Sequence, residues 1–369
     1  MLKVGSLFAG IGGIDLAFEQ AGFEIAWANE IDAATCKTYR HNFPNTKLIE
    51  CDIRNLDAKA LEKVDVLTAG FPCQSFSVCG NQKGFKDSRG NLFFEIMRIA
   101  DELQPQIIFL ENVANLTEHD NGKTFNVIHN ELASRDYFIR YLIADACDYG
   151  VPQHRTRTYI VAFKSKEACD KFRSPEKSEL TKHIFDVVDK TVKVDDAYYL
   201  SPDSYQYKKL LPVITDEEQI YRFSDYGIQK SKDGICFTLK ANMGTWKNRV
   251  PFIKDNYGIR KITPQECLAL MGFPKEYSFP DTVSQKEQYK QCGNSVVVPV
   301  IRRIAENITK VLCGKMNKTE KEYQEFITKL MDKANEVQKD FEKLSPENQE
   351  RIINDAKYLA LIKLGEIAK

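Results

Sequence analysis

Residues 4–8 form a short apolar run that breaks into Ala9-Gly10-Ile11-Gly12-Gly13 and resumes as an apolar-periodic stretch over 14–21. This succession of strand, glycine turn and helix constrains the fold more than any other feature. Glycines let the backbone approach a ligand, and the helix N-terminus that follows favours negative charge. The alternation then continues. Residues 23–28, 47–49, 64–69, 106–110, 137–144 and 158–163 read as buried strands, and 33–42, 92–103 and 125–134 as helices between them. Such a pattern predicts an α/β fold, with a mostly parallel sheet covered by helices on both faces. Ligands in such sheets sit beyond the carboxyl ends of the strands.

Several classes of protein are excluded by composition. The chain of 369 residues is 43% hydrophobic and 28% charged, which fits a folded protein of more than one domain. No apolar run reaches the roughly 18–20 residues of a membrane helix, and the N-terminus lacks a signal-peptide pattern. Its ten cysteines are scattered, with no C-x-x-C pair. They read as reduced thiols in a cytoplasmic protein, with no metal site, and leave one of them available as a nucleophile. Fifty-two basic and fifty-two acidic residues balance. That neither advertises nor excludes nucleic-acid binding, which needs only a local basic groove.

Candidate chemistry clusters at the strand ends. Glu30 follows the second strand about twenty residues after the glycine turn, where an acidic side chain accepts hydrogen bonds from ribose hydroxyls. Asp52 follows the third strand. At this level the cofactor is equally a nicotinamide dinucleotide or S-adenosylmethionine. Cys73, in Phe71-Pro72-Cys73-Gln74, follows the fourth strand on the same rim, in a polar loop rather than a core. Glu111, in Glu111-Asn112-Val113, ends the next strand and is a general-acid candidate if burial raises its pKa. In Gln153-His154-Arg155-Thr156-Arg157, strand alternation puts Gln153, Arg155 and Arg157 on one face, able to grip a carbonyl or phosphates.

Together these blocks resemble the DNA cytosine-5 methyltransferases, in particular the single-specificity bacterial enzymes of restriction–modification systems. The matching blocks are Phe8-Ala9-Gly10-Ile11-Gly12-Gly13, Phe71-Pro72-Cys73-Gln74-Ser75-Phe76-Ser77, Glu111-Asn112-Val113, Gln153-x-Arg155-x-Arg157 and Gly293-Asn294-Ser295-Val296. Thr263-Pro264-Gln265-Glu266-Cys267, ending in Met271-Gly272-Phe273-Pro274, resembles the helix before the last block. The resemblance implies a Rossmann-like methyltransferase fold and S-adenosylmethionine as cofactor. Cys73 would add to C6 of a flipped-out cytosine and Glu111 would act at N3. Arg155 would hold the base carbonyl, Arg157 would support the geometry, and Gln74 would complete the set. For the cofactor it implies Phe8 on the adenine, Gly10, Gly12 and Gly13 in the loop, Glu30 on the ribose, and Asp52 with Ile53 at the adenine edge. Pro72, Asn294 and Ser295 join that site, with Asn294 at the start of a helix. Ile31 stands where an aromatic residue often covers the adenine, Ser6 where many members carry Asp, and Cys79 where a small hydroxyl side chain often approaches DNA.

The same resemblance divides the chain into a catalytic part at 1–185, a target recognition domain at 186–259, a return to the catalytic domain at 260–314, and a helical extension at 315–369. Thr238, Lys240, Asn242, Lys247 and Arg249, with Ser77 and Cys79, are the expected DNA contacts. The 315–369 stretch shows two apolar faces around Ser345-Pro346 and reads as a helical hairpin; its eleven basic residues match eleven acidic ones, so it lacks the charge of a DNA clamp. Double-stranded DNA is the implied substrate. The implied partner is a cognate restriction endonuclease acting on the same site without a need for contact. A tRNA cytosine-5 methyltransferase is the alternative, because Cys236-Phe237-Thr238 resembles a signature of that branch. A nicotinamide oxidoreductase would leave Cys73, Glu111 and the arginines unexplained. A catalytically dead DNA-binding protein would not need all of them together.

Overall fold

The computed structural model describes residues 1–72, 92–245 and 249–313. Its first half alternates as the sequence predicts: β1 (Lys3–Leu7), α1 (Gly13–Gln20), β2 (Glu24–Glu30), α2 (Ala33–Asn42), β3 (Lys47–Glu50), β4 (Val66–Gly70), α3 (Leu92–Leu103), β5 (Ile107–Val113), α4 (Lys123–Ala133), β6 (Phe138–Asp145) and β7 (Thr156–Phe163). The seven strands form one sheet in the order β3-β2-β1-β4-β5-β7-β6. The pairs from β3 through β5 are parallel, whereas β7 runs antiparallel to both of its neighbours.

Side-chain parity explains why this sheet lies between helices. Ile107 and Phe109 of β5, and Tyr159, Val161 and Phe163 of β7, feed one apolar core; Ile108, Leu110, Ile160 and Ala162 feed the other. The first core takes Ile14, Ala17 and Phe18 of α1, and the second takes Ile96, Met97, Ile99 and Leu103 of α3. A slip of one residue would exchange the two sets, so both faces hold the register. Each buried Ile, Leu or Phe contributes roughly 1.5–3 kcal/mol by leaving water. Strand order reverses between β1 and β4, so the segments leaving their carboxyl ends flank a crevice.

Beyond β7 come α5 (Lys166–Lys171), α6 (Tyr205–Leu210), β8 (Tyr221–Ser224), β9 (Gly227–Lys230), β10 (Phe252–Asp255) and β11 (Gly258–Lys261). These four strands make a second, antiparallel sheet in the order β11-β10-β8-β9. Sequence periodicity does not reveal it, because each strand has only four residues. Then α7 (Pro264–Ala269), α8 (Gln285–Asn294) and α9 (Val298–Cys313) return to the main sheet, where Val300, Ile301, Ile304 and Ile308 of α9 join the first core. Two expectations change here. Thr263 caps α7 rather than belonging to it, its side chain accepting from the Glu266 amide while Glu266 reaches back. Helix α8 is not legible as an apolar stripe, because only Tyr289, Gln291, Cys292 and Gly293 along it are buried. Asn294 therefore ends a helix instead of starting one. Ser295 turns extended, and α9 begins only at Val298, with Pro299 in its first turn, where a missing amide costs nothing. The expected hairpin at 315–369 lies outside the described residues.

A buried ion triad joins the second sheet to α7. Arg260 has no exposed surface; it donates to Asp255 (2.6 Å) and to both carboxylate oxygens of Glu266 (2.8 Å each). Removing one member strands the other charges in a dry site. Arg260→Ala should destabilise the protein by about 3–5 kcal/mol in urea unfolding. A loss below about 1 kcal/mol would show that the triad bears no load.

Candidate active site

The crevice at the strand reversal is a cavity of about 650 Å³. The glycine turn, the end of β4, the end of β5, residues 238–241 and residues 290–296 line it. The glycine turn is set by backbone conformation. Phe8 adopts a left-handed conformation (φ 54°), and Gly12, at the entrance to α1, has φ 81°. A side chain at Gly12 would be strained and would also strike the Phe43 ring. Glu30 then ties the turn to β2. Its carboxylate accepts from the Gly10 amide (2.9 Å) and from the Ile31 and Asp32 amides (2.8 and 2.9 Å).

Other expected cofactor residues lie around this turn. Phe8, Gly10, Gly13, Glu30, Pro72, Asn294 and Ser295 line the cavity. Ser295 Oγ is buried beside Gly13 with no hydrogen-bond partner. Ile31 is 60% exposed and is not among the residues that line the cavity. Ile53 is buried in the second core, and both oxygens of Asp52 accept from Arg54.

Glu111 stands at the crevice with only 8% of its surface exposed, and Arg157 Nε lies 3.2 Å from its carboxylate. Burial raises its pKa above the usual carboxylate value, while Arg157 and Arg155 pull it back down. Register places Gly70 opposite Glu111, and Asn112 donates to the Phe71 carbonyl (2.8 Å). The chain at Pro72 is thus fixed beside Glu111. Cys73 is the next residue in the sequence. Cys73, Gln74, Ser77 and Cys79 themselves lie outside the described residues.

The two arginines do not share a strand face as alternation predicted. Strand β7 begins at Thr156, so only Arg157 belongs to it. Arg155 is 3% exposed, and its guanidinium donates to the carbonyls of Leu239 (2.7 Å), Gly293 (3.1 Å) and Ser295. Burial and the neighbouring Arg157 charge lower its pKa to about 9. The Gln153 side chain is buried too, donating to the Leu270 carbonyl (3.0 Å) and accepting from the Leu239 amide. These residues clasp the segment 236–241 against β7. Gly293 completes the clasp, since a Cβ there would sit 2.1 Å from the Lys240–Ala241 peptide. Only glycine permits that approach.

Among the expected DNA contacts, Thr238 and Lys240 line the cavity opposite Glu111, with the Thr238 hydroxyl donated to the His154 carbonyl. Asn242 is exposed, and Arg249 pairs with Asp225 (2.6 Å). Lys247 lies outside the described residues. The sequence reading missed a charged pair among the cavity residues. Asp32 and Lys290 pair across the rim (3.0 Å), and their separation of 258 positions hides them from any local pattern.

Comparison with known proteins follows the same outline. The family profile described as C-5 cytosine-specific DNA methylase matches residues 2–310. Type II methyltransferase M.Bsp6I of Bacillus sp. (strain RFL6) is 48% identical over 314 residues, which is 84% of this chain and 99% of that protein. Type II methyltransferase M.HhaI of Haemophilus parahaemolyticus is 37% identical over 311 residues, 83% and 94% of the two chains. Among solved structures, a Spodoptera frugiperda DNMT2 mutant superposes with a TM-score of 0.65 at 23% identity, covering 84% of this chain and 99% of its own. A putative DNA modification methyltransferase encoded within an Escherichia coli prophage gives 0.63 at 24%, covering 85% and 99%.

Beneath the glycine turn lies a second buried carboxylate. Asp15 on α1 accepts from the Tyr39 hydroxyl (2.6 Å) and neighbours Ser6, but its Oδ1 has no partner. Burial raises its pKa to about 6. The folded state therefore favours the protonated form. That stability is complete below the unfolded pKa near 3.8 and is lost as pH rises through about 6. Asp15→Asn should be more stable than the parent at pH 8 by up to ~3 kcal/mol, with the difference vanishing below about pH 4. Paired unfolding curves across this range check it; a pH-independent difference would mean that Asp15 does not titrate there.

Proposed function

The chain belongs to the C-5 cytosine-specific DNA methylase family, and from that premise we propose how its own residues methylate cytosine in duplex DNA. The protein is a DNA cytosine-5 methyltransferase of the type II restriction–modification kind. The observation that carries the mechanism is the buried Glu111–Arg157 pair, one strand from the residue that precedes Cys73, in the same crevice as the glycine turn.

C5 of cytosine is too electron-poor to take a methyl group directly. Inside a duplex it is out of reach, so the base turns out of the stack into the crevice. The Cys73 thiolate forms a bond to C6, and the electrons of the C5–C6 double bond move toward C5 and the N3–carbonyl system. Glu111 meets that charge at N3, for which its burial, favouring the protonated acid, suits it. Arg157 takes the base carbonyl. It is the arginine beside Glu111, whereas both terminal nitrogens of Arg155 are held by main-chain carbonyls, and on this reading the two arginines exchange the roles that the family resemblance alone implies. C5 then accepts the methyl group, loses its proton to a base such as water, and the C6–S bond breaks to return Cys73.

S-adenosylmethionine, when bound, supplies an electrophilic methyl group. The residues present fit it. Glu30 clamps the glycine turn open, Gly12 admits close approach to the helix N-terminus, and the buried Ser295 hydroxyl lacks a partner beside it. The Asp52–Ile53 edge is the proposed boundary for the adenine, with exposed Ile31 leaving that face thinly covered. We assign recognition of the target sequence to 186–259, with Thr238, Lys240, Asn242, Lys247 and Arg249, and with Ser77 and Cys79 from the cysteine loop. A restriction endonuclease of the same specificity is the proposed counterpart, in the cytoplasm where the DNA lies.

The tRNA reading has less support. Cys236 is wholly buried, and its backbone bonds to Pro152 and His154, so a structural role accounts for that residue. Bisulfite sequencing of DNA from a host lacking cytosine-5 methylation, after expression of the chain, should show protected cytosines in one short motif, and none with Cys73→Ala. Protection absent from DNA but present in tRNA would overturn the assignment. Arg157→Ala should lower the rate of methyl transfer ~10²–10³-fold while S-adenosylmethionine still binds. A wild-type rate would place the carbonyl contact elsewhere.

A further inference from the structure

The turn between β6 and β7 holds a cluster that the methylation chemistry does not use. Asp145 ends β6, Cys147 lies in the turn, and His154 precedes the buried Arg155. Cys147 Sγ is 3.6 Å from His154 Nδ1, and Asp145 Oδ2 is 3.1 Å from the same nitrogen. All three ligand atoms lie within 4.8 Å of one another. We propose that Asp145, Cys147 and His154 form a binding site for a divalent transition-metal ion, with zinc the best fit, bracing the turn that carries Arg155.

Three features favour metal over a simple hydrogen-bonded trio. A relay of carboxylate, imidazole and thiol would use one ring nitrogen for each partner, but here both partners meet at Nδ1. The spacings are also those of ligands around one ion. Zinc bonds of about 2.3 Å to sulfur and about 2.0–2.2 Å to nitrogen and oxygen, at tetrahedral angles, put S and N about 3.6 Å apart and N and O about 3.4 Å apart. Finally, thiolate, imidazole and carboxylate together suit an ion of borderline softness, and their two negative charges neutralise it.

Neighbouring contacts fix the carboxylate and the main chain that carry two of these ligands. Asp145 Oδ1 accepts from the Arg155 amide (2.8 Å), leaving Oδ2 for the ion. The His154 amide donates to the Cys236 carbonyl (2.8 Å), and its carbonyl accepts from Thr238. Burial and nearby carboxylates push the Cys147 thiol up to about 11, so it is protonated without metal. On binding, the S–H bond breaks, its proton goes to solvent, and the sulfur lone pair bonds the ion. The His154 side chain is 55% exposed, which opens the remaining position to water. The ion would thus fix both strands of the clasp formed by 153–155 and 236–239.

The test uses the full chain, stripped with chelator and titrated with cobalt(II) and then zinc(II) chloride under reducing conditions. Cobalt(II) should bind at one equivalent with a thiolate-to-cobalt charge-transfer band, and zinc should displace it. Cys147→Ser should lose that band while keeping S-adenosylmethionine binding. His154→Gln should weaken zinc at least ~100-fold, the upper end of what losing an outer-shell partner costs. A band that survives in Cys147→Ser would assign the metal to another cysteine and overturn the proposal. So would the absence of stoichiometric binding in the parent protein.

Discussion

One buried cation holds the crevice together. The Arg155 guanidinium bonds main-chain carbonyls from Leu239, Gly293 and Ser295, residues that lie 84 to 140 positions away in sequence. Main-chain carbonyls are poor counter-ions singly, but three of them in a fixed fork match the geometry of guanidinium donors. Lysine could not replace it, since one ammonium cannot reach three carbonyls spread over two segments. The strand that carries Arg157, the loop that carries Thr238 and Lys240, and the helix end that carries Asn294 thus meet at a single side chain.

That arrangement also governs the electrostatics of Glu111. Burial pushes the pKa of this carboxyl up, and two arginines nearby oppose it. Arg155 has little freedom to move, because both of its terminal nitrogens bond main-chain carbonyls, although its buried Nε has no partner. Arg157 sits closer, with Nε 3.2 Å from the Glu111 carboxylate, and its Nη1 donates to the Thr156 carbonyl (2.8 Å). The pair therefore comprises one charge packed into the backbone and a second in direct contact with the Glu111 carboxylate. Both descend from the five letters of Gln153-His154-Arg155-Thr156-Arg157, yet only their packing separates the roles.

Much of the main sheet was legible because its strands are buried on both faces and its helices carry clear apolar stripes. The spans 33–42 and 92–103 appear as predicted. Residues at strand ends, such as Glu30 and Glu111, were legible because such a sheet puts ligands there. What escaped has a physical cause in each case. Helix α8 is largely polar because it packs through backbone proximity at Gly293 rather than through an apolar stripe. The second sheet is built of four-residue strands, too short for a period of two to stand out. The Asp32–Lys290 contact joins distant segments, which no spacing rule can register.

A long, irregular insertion is tolerated within this fold because its ends are pinned to the core. Residues 164–262 leave the sheet at β7 and come back at α7. Between these points the backbone at Cys236 pairs with Gln153, and Arg260 links Asp255 to the capping glutamate of α7. These fixed points hold the 238–241 face of the crevice in place, whatever the segments between them do. Loop-closure entropy grows only slowly with length, so the segments between pins can vary at little thermodynamic cost. Chemistry common to a family and specificity peculiar to one member can then reside in one continuous chain. The first depends on buried contacts such as those of Arg155 and Gln153; under the proposed assignment of recognition to 186–259, the second would depend on exposed residues between the pins.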